Sequence, residues 1–338
     1  TDGIKDIVEI SGSGNQFHAH YIRGIGPSRQ KGEKLFTYST LPAQKVRIMK
    51  RHQIPGVVAE TAHVFGQGVQ FFKIECIKID GIPEMMGDRV LPGALDFVHR
   101  VSGSKHLFIT NNPILSPARV ARRLSSMGFR GILAERILTS AQATAAWLAR
   151  QKPGFRYFAV GAEGLHDALS GVGTEDRRNA NYVVIGEGSG LDYESLTMGI
   201  NLVLGGATLV ATNPDASVDA WRDGQHLVLP GGGALVAPFE VATGQRAIVI
   251  GKPHPLLYRM ATERLGVGVD DCVMIGDRPD TDIAGAAALG IRTALVRTGR
   301  FVPGASWPKG MEKPDWDVDS LAELTTEFEA AGIFQAIS

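Results

Sequence analysis

From Gln70 onward the chain alternates short apolar runs with amphipathic stretches. The runs Phe71–Ile79, His106–Ile109, Tyr157–Val160, Tyr182–Ile185, Thr208–Ala211, Ala247–Ile250, Cys272–Ile275 and Thr293–Val296 have the length and continuity of buried strands. Between them lie helical patterns. Ser116-Pro117 reads as an N-cap followed by proline at the first helical position, with Val120, Leu124 and Met127 on one face. Leu138–Gln151 and Leu256–Leu265 read as helices, and Asp282–Leu289 as a short helix stopped by Gly290. Residues 1–69 have a different texture. Their apolar runs are short, Gly12-Ser13-Gly14 interrupts them, and basic residues cluster over Arg23–Lys34 and Lys45–Arg51. This part reads as a strand-and-loop appendage with one helix near Ala43–His52.

Strand–helix alternation of this kind predicts an α/β fold, a doubly wound parallel sheet covered on both faces. In such sheets ligands collect at the carboxyl ends of the strands. Four of those ends carry polar residues: Lys78-Ile79-Asp80-Gly81, Thr110-Asn111-Asn112, Gly251-Lys252-Pro253 and Gly276-Asp277-Arg278-Pro279-Asp280-Thr281-Asp282. Each alone is a common turn or surface loop. Their order, each after a β-type run, makes the set specific.

The set resembles the haloacid dehalogenase superfamily, and in particular its phosphatases with a large α/β cap. Further segments carry the resemblance: Gly87-Asp88 with Leu91-Pro92-Gly93-Ala94, Leu138-Thr139-Ser140-Ala141, Gly161-Ala162-Glu163-Gly164-Leu165, Ala211-Thr212-Asn213-Pro214-Asp215 and Pro230-Gly231-Gly232-Gly233-Ala234. It implies a core of residues 70–130 and 248–338 with an inserted cap over 131–247, and it leaves residues 1–69 unmatched. It implies a phosphate-monoester hydrolase that acts on a small phosphorylated metabolite through a covalent phosphoaspartate. Mg²⁺ would be the cofactor, bound by Asp277 and the Asp80 backbone carbonyl. The Asp80 side chain would serve as general acid and then general base. Thr110, Asn111 and Lys252 would bind the phosphoryl group, and Asp282 would orient Lys252 or water around the metal. By the same resemblance the loop containing Glu187 takes part in substrate selection, and relatives form homodimers through the cap.

One position departs from the pattern. The first strand end of the family reads Asp-x-Asp-Gly, and here Lys78 stands in the nucleophile's place. Glu75 lies an odd number of residues away, so on a strand it faces the other side. An ammonium cannot form an acyl phosphate or ligate Mg²⁺. At about 4 Å and an effective dielectric near 20, it opposes each unit of metal charge by roughly 4 kcal/mol. Phosphoaspartate chemistry is therefore expected to be lost or impaired. The alternative is a non-catalytic phosphate-binding or regulatory protein, with Lys78 paired to Asp277 in place of a metal. A third and minor reading makes Lys78 a catalytic amine of depressed pKa.

Composition narrows the partners. Lysine plus arginine and aspartate plus glutamate both number 35, so no basic face for nucleic acid is implied. Cys76 and Cys272 are the only cysteines, which argues against a disulfide scaffold and for a reducing compartment. No apolar run approaches the roughly 18–20 residues of a membrane span, and the start lacks a signal-peptide pattern. A cytoplasmic protein without membrane contact is expected. His18 and His20, with His52 and His63, invite a metal reading, but no clear carboxylate or cysteine completes a site.

Overall fold

The computed structural model describes residues 6–11, 18–23, 69–73, 90–222, 225–299 and 301–334, with backbone alone for the first three segments. The expected helix near Ala43–His52, the basic clusters apart from Arg23, and Glu75, Lys78, Asp80 and Asp88 lie outside these residues. So do His52 and His63. The chain divides into two units, Thr1–Ala62 and His63–Ser338.

In the first unit β1 (Asp6–Ser11) and β2 (His18–Arg23) pair antiparallel, with Glu9 opposite His20 and Ser11 opposite His18. The second unit continues with β3 (Val69–Lys73), α1 (Ala94–Val101), β4 (His106–Thr110), α2 (Pro117–Ser126), β5 (Ile137–Thr139) and α3 (Ser140–Gln151). Next come β6 (Arg156–Val160), α4 (Glu163–Ser170), β7 (Thr174–Glu175), β8 (Tyr182–Ile185), α5 (Tyr193–Leu204), β9 (Thr208–Ala211), β10 (Ser217–Arg222), β11 (Gln225–Pro230), α6 (Gly232–Thr243) and β12 (Ile248–Val249). The chain then runs through α7 (Pro255–Leu265), β13 (Cys272–Gly276), α8 (Ala284–Ala287), β14 (Arg292–Val296), β15 (Trp316–Val318) and α9 (Leu321–Ala330).

The described residues form two parallel sheets. The core sheet has six strands in the order β15-β14-β13-β3-β4-β5, and the cap sheet has five, β12-β9-β8-β6-β7. From β3 the chain moves outward through β4 and β5, then returns to β13 on the other side. The switch point between β3 and β13 is where a doubly wound sheet opens a crevice for ligand. All five residues of β4 and of β13 are buried, as strands covered on both faces require. α1 buries Ala94, Phe97, Val98 and Val101, the spacing of one helical face. One apolar cluster joins Leu107, Ile109 and Met274 of the core to Tyr157, Val184 and Val210 of the cap.

Some boundaries differ from the sequence reading. Leu138 is not helical: β5 pairs with β4, Phe108 opposite Ile137, and the helix begins at Ser140. The cause is a capping box, in which Thr139 Oγ1 accepts from the Gln142 amide and the Gln142 side chain accepts from the Thr139 amide. β5, inside the expected 131–247 cap, therefore pairs within the core sheet, and β12, just past that range, pairs within the cap sheet. The expected helix at Asp282–Leu289 is a π-turn over Pro279–Ile283 followed by the short α8. Ser116 occupies the N-cap position of α2 without a side-chain bond. The β10–β11 hairpin was not anticipated; Asp223-Gly224 between its strands was the available signal. No helix among the described residues is long and apolar enough to cross a membrane.

Candidate active site

The carboxyl ends of β4 and β13 in the core meet those of β8, β9 and β12 in the cap. Thr110 closes β4, is almost fully buried, and accepts a hydrogen bond from the Asn112 amide at 3.1 Å. As an acceptor there, its hydroxyl keeps a hydrogen for another partner. Lys252 leaves β12 and is fully buried, as is Asp282 in the π-turn after β13. The Lys252 ammonium donates to Asp282 Oδ1 at 2.9 Å. Asp282 Oδ2 accepts from the Arg278 amide at 3.1 Å, so one carboxylate ties the lysine to the loop that follows β13. Gly276 makes this possible, because a Cβ there would lie 2.4 Å from the Asp282 Cβ.

The Asn111 side chain is held by protein groups. Its amide donates to Asp215 Oδ2 and to the Lys252 carbonyl, each at 2.9 Å, and its Oδ1 accepts from the Lys252 amide at 2.7 Å. Both amide hydrogens are thus engaged by protein groups, and the side chain splints the backbone of Lys252. Its own carbonyl accepts from Ser140 Oγ and from Asn213 Nδ2. Glu187 is also buried, with Oε1 accepting from Asn213 Nδ2 at 2.8 Å.

Asp277 is buried at the end of β13. A Cβ on Gly299 would fall 1.4 Å from its Oδ2, so the carboxylate lies in space that only glycine leaves open. Next to that glycine, the buried Thr298 Oγ1 has no hydrogen-bond partner among the described residues. A hard oxygen ligand, a cradle that a methyl group would fill, and an unused hydroxyl suit a small divalent cation. Among the described residues no three histidine, cysteine or acidic side chains converge to hold an ion. The expected second ligand, the Asp80 carbonyl, lies outside these residues.

Arg278 bridges core and cap. Its guanidinium pairs with Asp215 at 2.7 Å and with Asp280 at 2.6 Å. Burial works against its charge, but the Asp280 hydrogen bond and the charges of Asp215, Asp280 and Asp282 outweigh it and hold the pKa well above the ordinary arginine value. Burial would raise the Asp280 pKa, and Arg278 reverses that and lowers it. Asp215 and Arg278 stand in the sequence inside segments already quoted, without a role of their own, whereas Gly299 and Thr298 carry no signal there.

The comparisons with known proteins agree with this architecture. A family model described as haloacid dehalogenase-like hydrolase matches residues 79–175, and a second, HAD-hydrolase-like, matches 249–324. An acid sugar phosphatase of Staphylococcus aureus is 36% identical over 232 residues, covering 68% of this chain and 87% of the relative. Among solved structures, p-nitrophenyl phosphatase from Archaeoglobus fulgidus superposes with a TM-score of 0.67 at 27% identity, covering 78% of this chain and 99% of that one. NagD from E. coli K-12 gives 0.63 at 28% identity, covering 76% and 98%. The two-sheet fold and these matches together establish that the chain belongs to the haloacid dehalogenase superfamily, among its NagD-like phosphatases.

Proposed function

We propose that the chain binds a small phosphorylated metabolite as a phosphate-monoester hydrolase of this family, with covalent chemistry impaired by Lys78. The observation that carries the reading is the buried Lys252–Asp282 pair set among the strand ends that bear Thr110 and Asp277. Lys252 supplies fixed positive charge for a phosphoryl group, and Thr110 a hydroxyl donor. Asp277, with Thr298 beside its cradle, would hold Mg²⁺, which supplies neutralisation of phosphoryl charge when bound. Asp80 is assigned proton transfer to the leaving oxygen and from water. The name of the Staphylococcus aureus relative supports a sugar phosphate as the first substrate to try.

Lys78 sustains a second reading, a phosphate-binding protein without turnover, since a protonated amine cannot accept the phosphoryl group as a carboxylate does. A phosphatase panel with Mg²⁺, run on the native chain and on Lys78→Asp, separates the two. Weak or absent turnover that rises at least 100-fold in Lys78→Asp supports an impaired hydrolase. No turnover in either chain, with retained phosphate binding, supports the binding protein. Robust Mg²⁺-dependent turnover by the native chain overturns the impairment. Homodimerisation through the cap belongs to the same proposal. It would cover the exposed Tyr193 and Val241, and light scattering after size exclusion tests it.

A further inference from the structure

The hydrogen bonds around Lys252 close on themselves. Lys252 Nζ bonds Asp282 Oδ1, and Asp282 Oδ2 accepts from the Arg278 amide. Arg278 Nη1 bonds Asp215 Oδ1, Asp215 Oδ2 accepts from Asn111 Nδ2, and Asn111 Oδ1 accepts from the Lys252 amide. Five residues from four separate segments thus form one ring. Asn111 comes from the end of β4, Lys252 follows β12, Arg278 and Asp282 follow β13, and Asp215 follows β9. Without Asp215 the ring would be an open chain, with Asn111 at one end and Arg278 at the other.

Asp215 is itself held rigidly. Its amide donates to Asn213 Oδ1 at 3.0 Å, and its carbonyl accepts from the Gly233 amide at 2.9 Å. The start of α6, residues 231–233, wraps this segment so closely that a Cβ on Gly231 would lie 2.2 Å from the Asp215 carbonyl oxygen. Both carboxylate oxygens therefore have fixed directions, one toward a cation and one toward an amide.

We propose that Asp215 is a positioning residue of the phosphate pocket: a cap-borne carboxylate that fixes the Lys252 backbone through Asn111 and the metal-side loop through Arg278. It touches no reacting atom. Its removal leaves the Arg278 guanidinium and the Asn111 amide each short of a buried acceptor, and both can then swing away from the groups they hold. The cap thereby sets the aim of core residues as well as covering them. What the ring serves rests on the phosphate-pocket reading; that the ring is one unit does not.

Asp215→Asn is the informative variant, because it keeps the shape while turning a donor toward Arg278 or Asn111. Asp219→Asn, on the cap hairpin where Asp219 pairs with His226, is the control. Hydrogen exchange on the full chain is read at the Lys252 and Arg278 amides and, for reference, at Val183–Ile185. Inorganic phosphate binding is measured on the same preparations, well below their melting temperatures. The expected result for Asp215→Asn is exchange at least 10-fold faster at Lys252 and Arg278 with the reference strand unchanged, and phosphate affinity lower by at least 10-fold. Asp219→Asn should change neither. Faster exchange confined to residues 213–233 overturns the proposal, as does a uniform rise across both sheets, or unchanged phosphate affinity once the ring amides have loosened. If the native chain binds no phosphate at all, the pocket reading fails, and the exchange data still decide whether the ring is coupled.

Discussion

In the core sheet the strand ends deliver charge and a hydroxyl: Thr110 at the end of β4, then Asp277, Arg278 and Asp282 after β13. In the cap sheet the ends of β8 and β9 deliver Glu187, Asn213 and Asp215, and these bond to protein groups. The cap's glycines at 231–233 serve close backbone approach, whereas Gly276 and Gly299 in the core make room for carboxylates. Two sheets of similar construction thus divide the work. The core sheet places Thr110 and the carboxylates of Asp277 and Asp282, while the cap sheet sends in Lys252 from the end of β12 and braces it through Asp215 and Asn111.

The strongest way to break that comparison is to set a buried ion pair against an exposed one. Asp282→Ala leaves the Lys252 ammonium buried without its counter-ion and is expected to cost about 3–5 kcal/mol in urea unfolding. In the cap, Arg246 pairs with Glu240 but is 90% exposed, and Arg246→Ala should change stability by no more than about 0.5 kcal/mol. Equal losses from the two variants would remove the distinction.

Glycine substitutions sharpen it next. Gly299→Ala puts a methyl group where the Asp277 carboxylate lies, so affinity for Mg²⁺ or Mn²⁺, measured by calorimetry, should fall at least 10-fold. Gly244→Ala in the cap meets open space at φ +68°, so it should cost only about 1 kcal/mol of backbone strain and leave metal affinity unchanged.

The smallest effect is in pH. Burial, opposed by the Ser104 carbonyl and aided by Arg136, holds His106 at the start of β4 below the usual imidazole pKa. Burial and then Arg259 do the same to His254, two residues after Lys252. With lowered folded-state values, the native chain binds fewer protons than the unfolded one. Stability is therefore complete above about pH 6.5 and declines as pH falls toward the folded values, by at most about 1.4 kcal/mol per unit for each group. His106→Gln should flatten that slope between pH 7 and 5 in urea titrations. An unchanged slope would remove His106 as a source of acid sensitivity.

Much of the frame was legible in the sequence because it depends on local rules. Runs such as His106–Ile109 and Cys272–Ile275 mark strands covered on both sides, and polar residues just after them mark the crevice. That rule points to Lys252, Asp277 and Asp282, of which the structure pairs the first and last. The helix starting at Ser140 was misjudged at its edge because Thr139 and Gln142 stop it with a reciprocal cap, while Ile137 and Leu138 join the sheet. Asn111 was recognised as a site residue, but its splinting of Lys252 depends on a partner far along the chain. Gly299 escaped notice because a single glycine reports nothing until its neighbour Asp277 is known. The role of Asp215 likewise exists only after two sheets are brought end to end.

The strand order of the core sheet also bears on how the chain assembles. Its central pairing, β3 with β13, joins residues about 200 positions apart, whereas the cap strands from β6 to β12 pair with near neighbours in sequence. Closing so long a segment is slow unless something shortens it first. A cap that collapses early brings the Asn111 and Lys252 ends of its own insertion together, so the last strands of the core reach their partners across a much smaller gap. Mutations deep in the cap would then appear as slower folding of the core sheet.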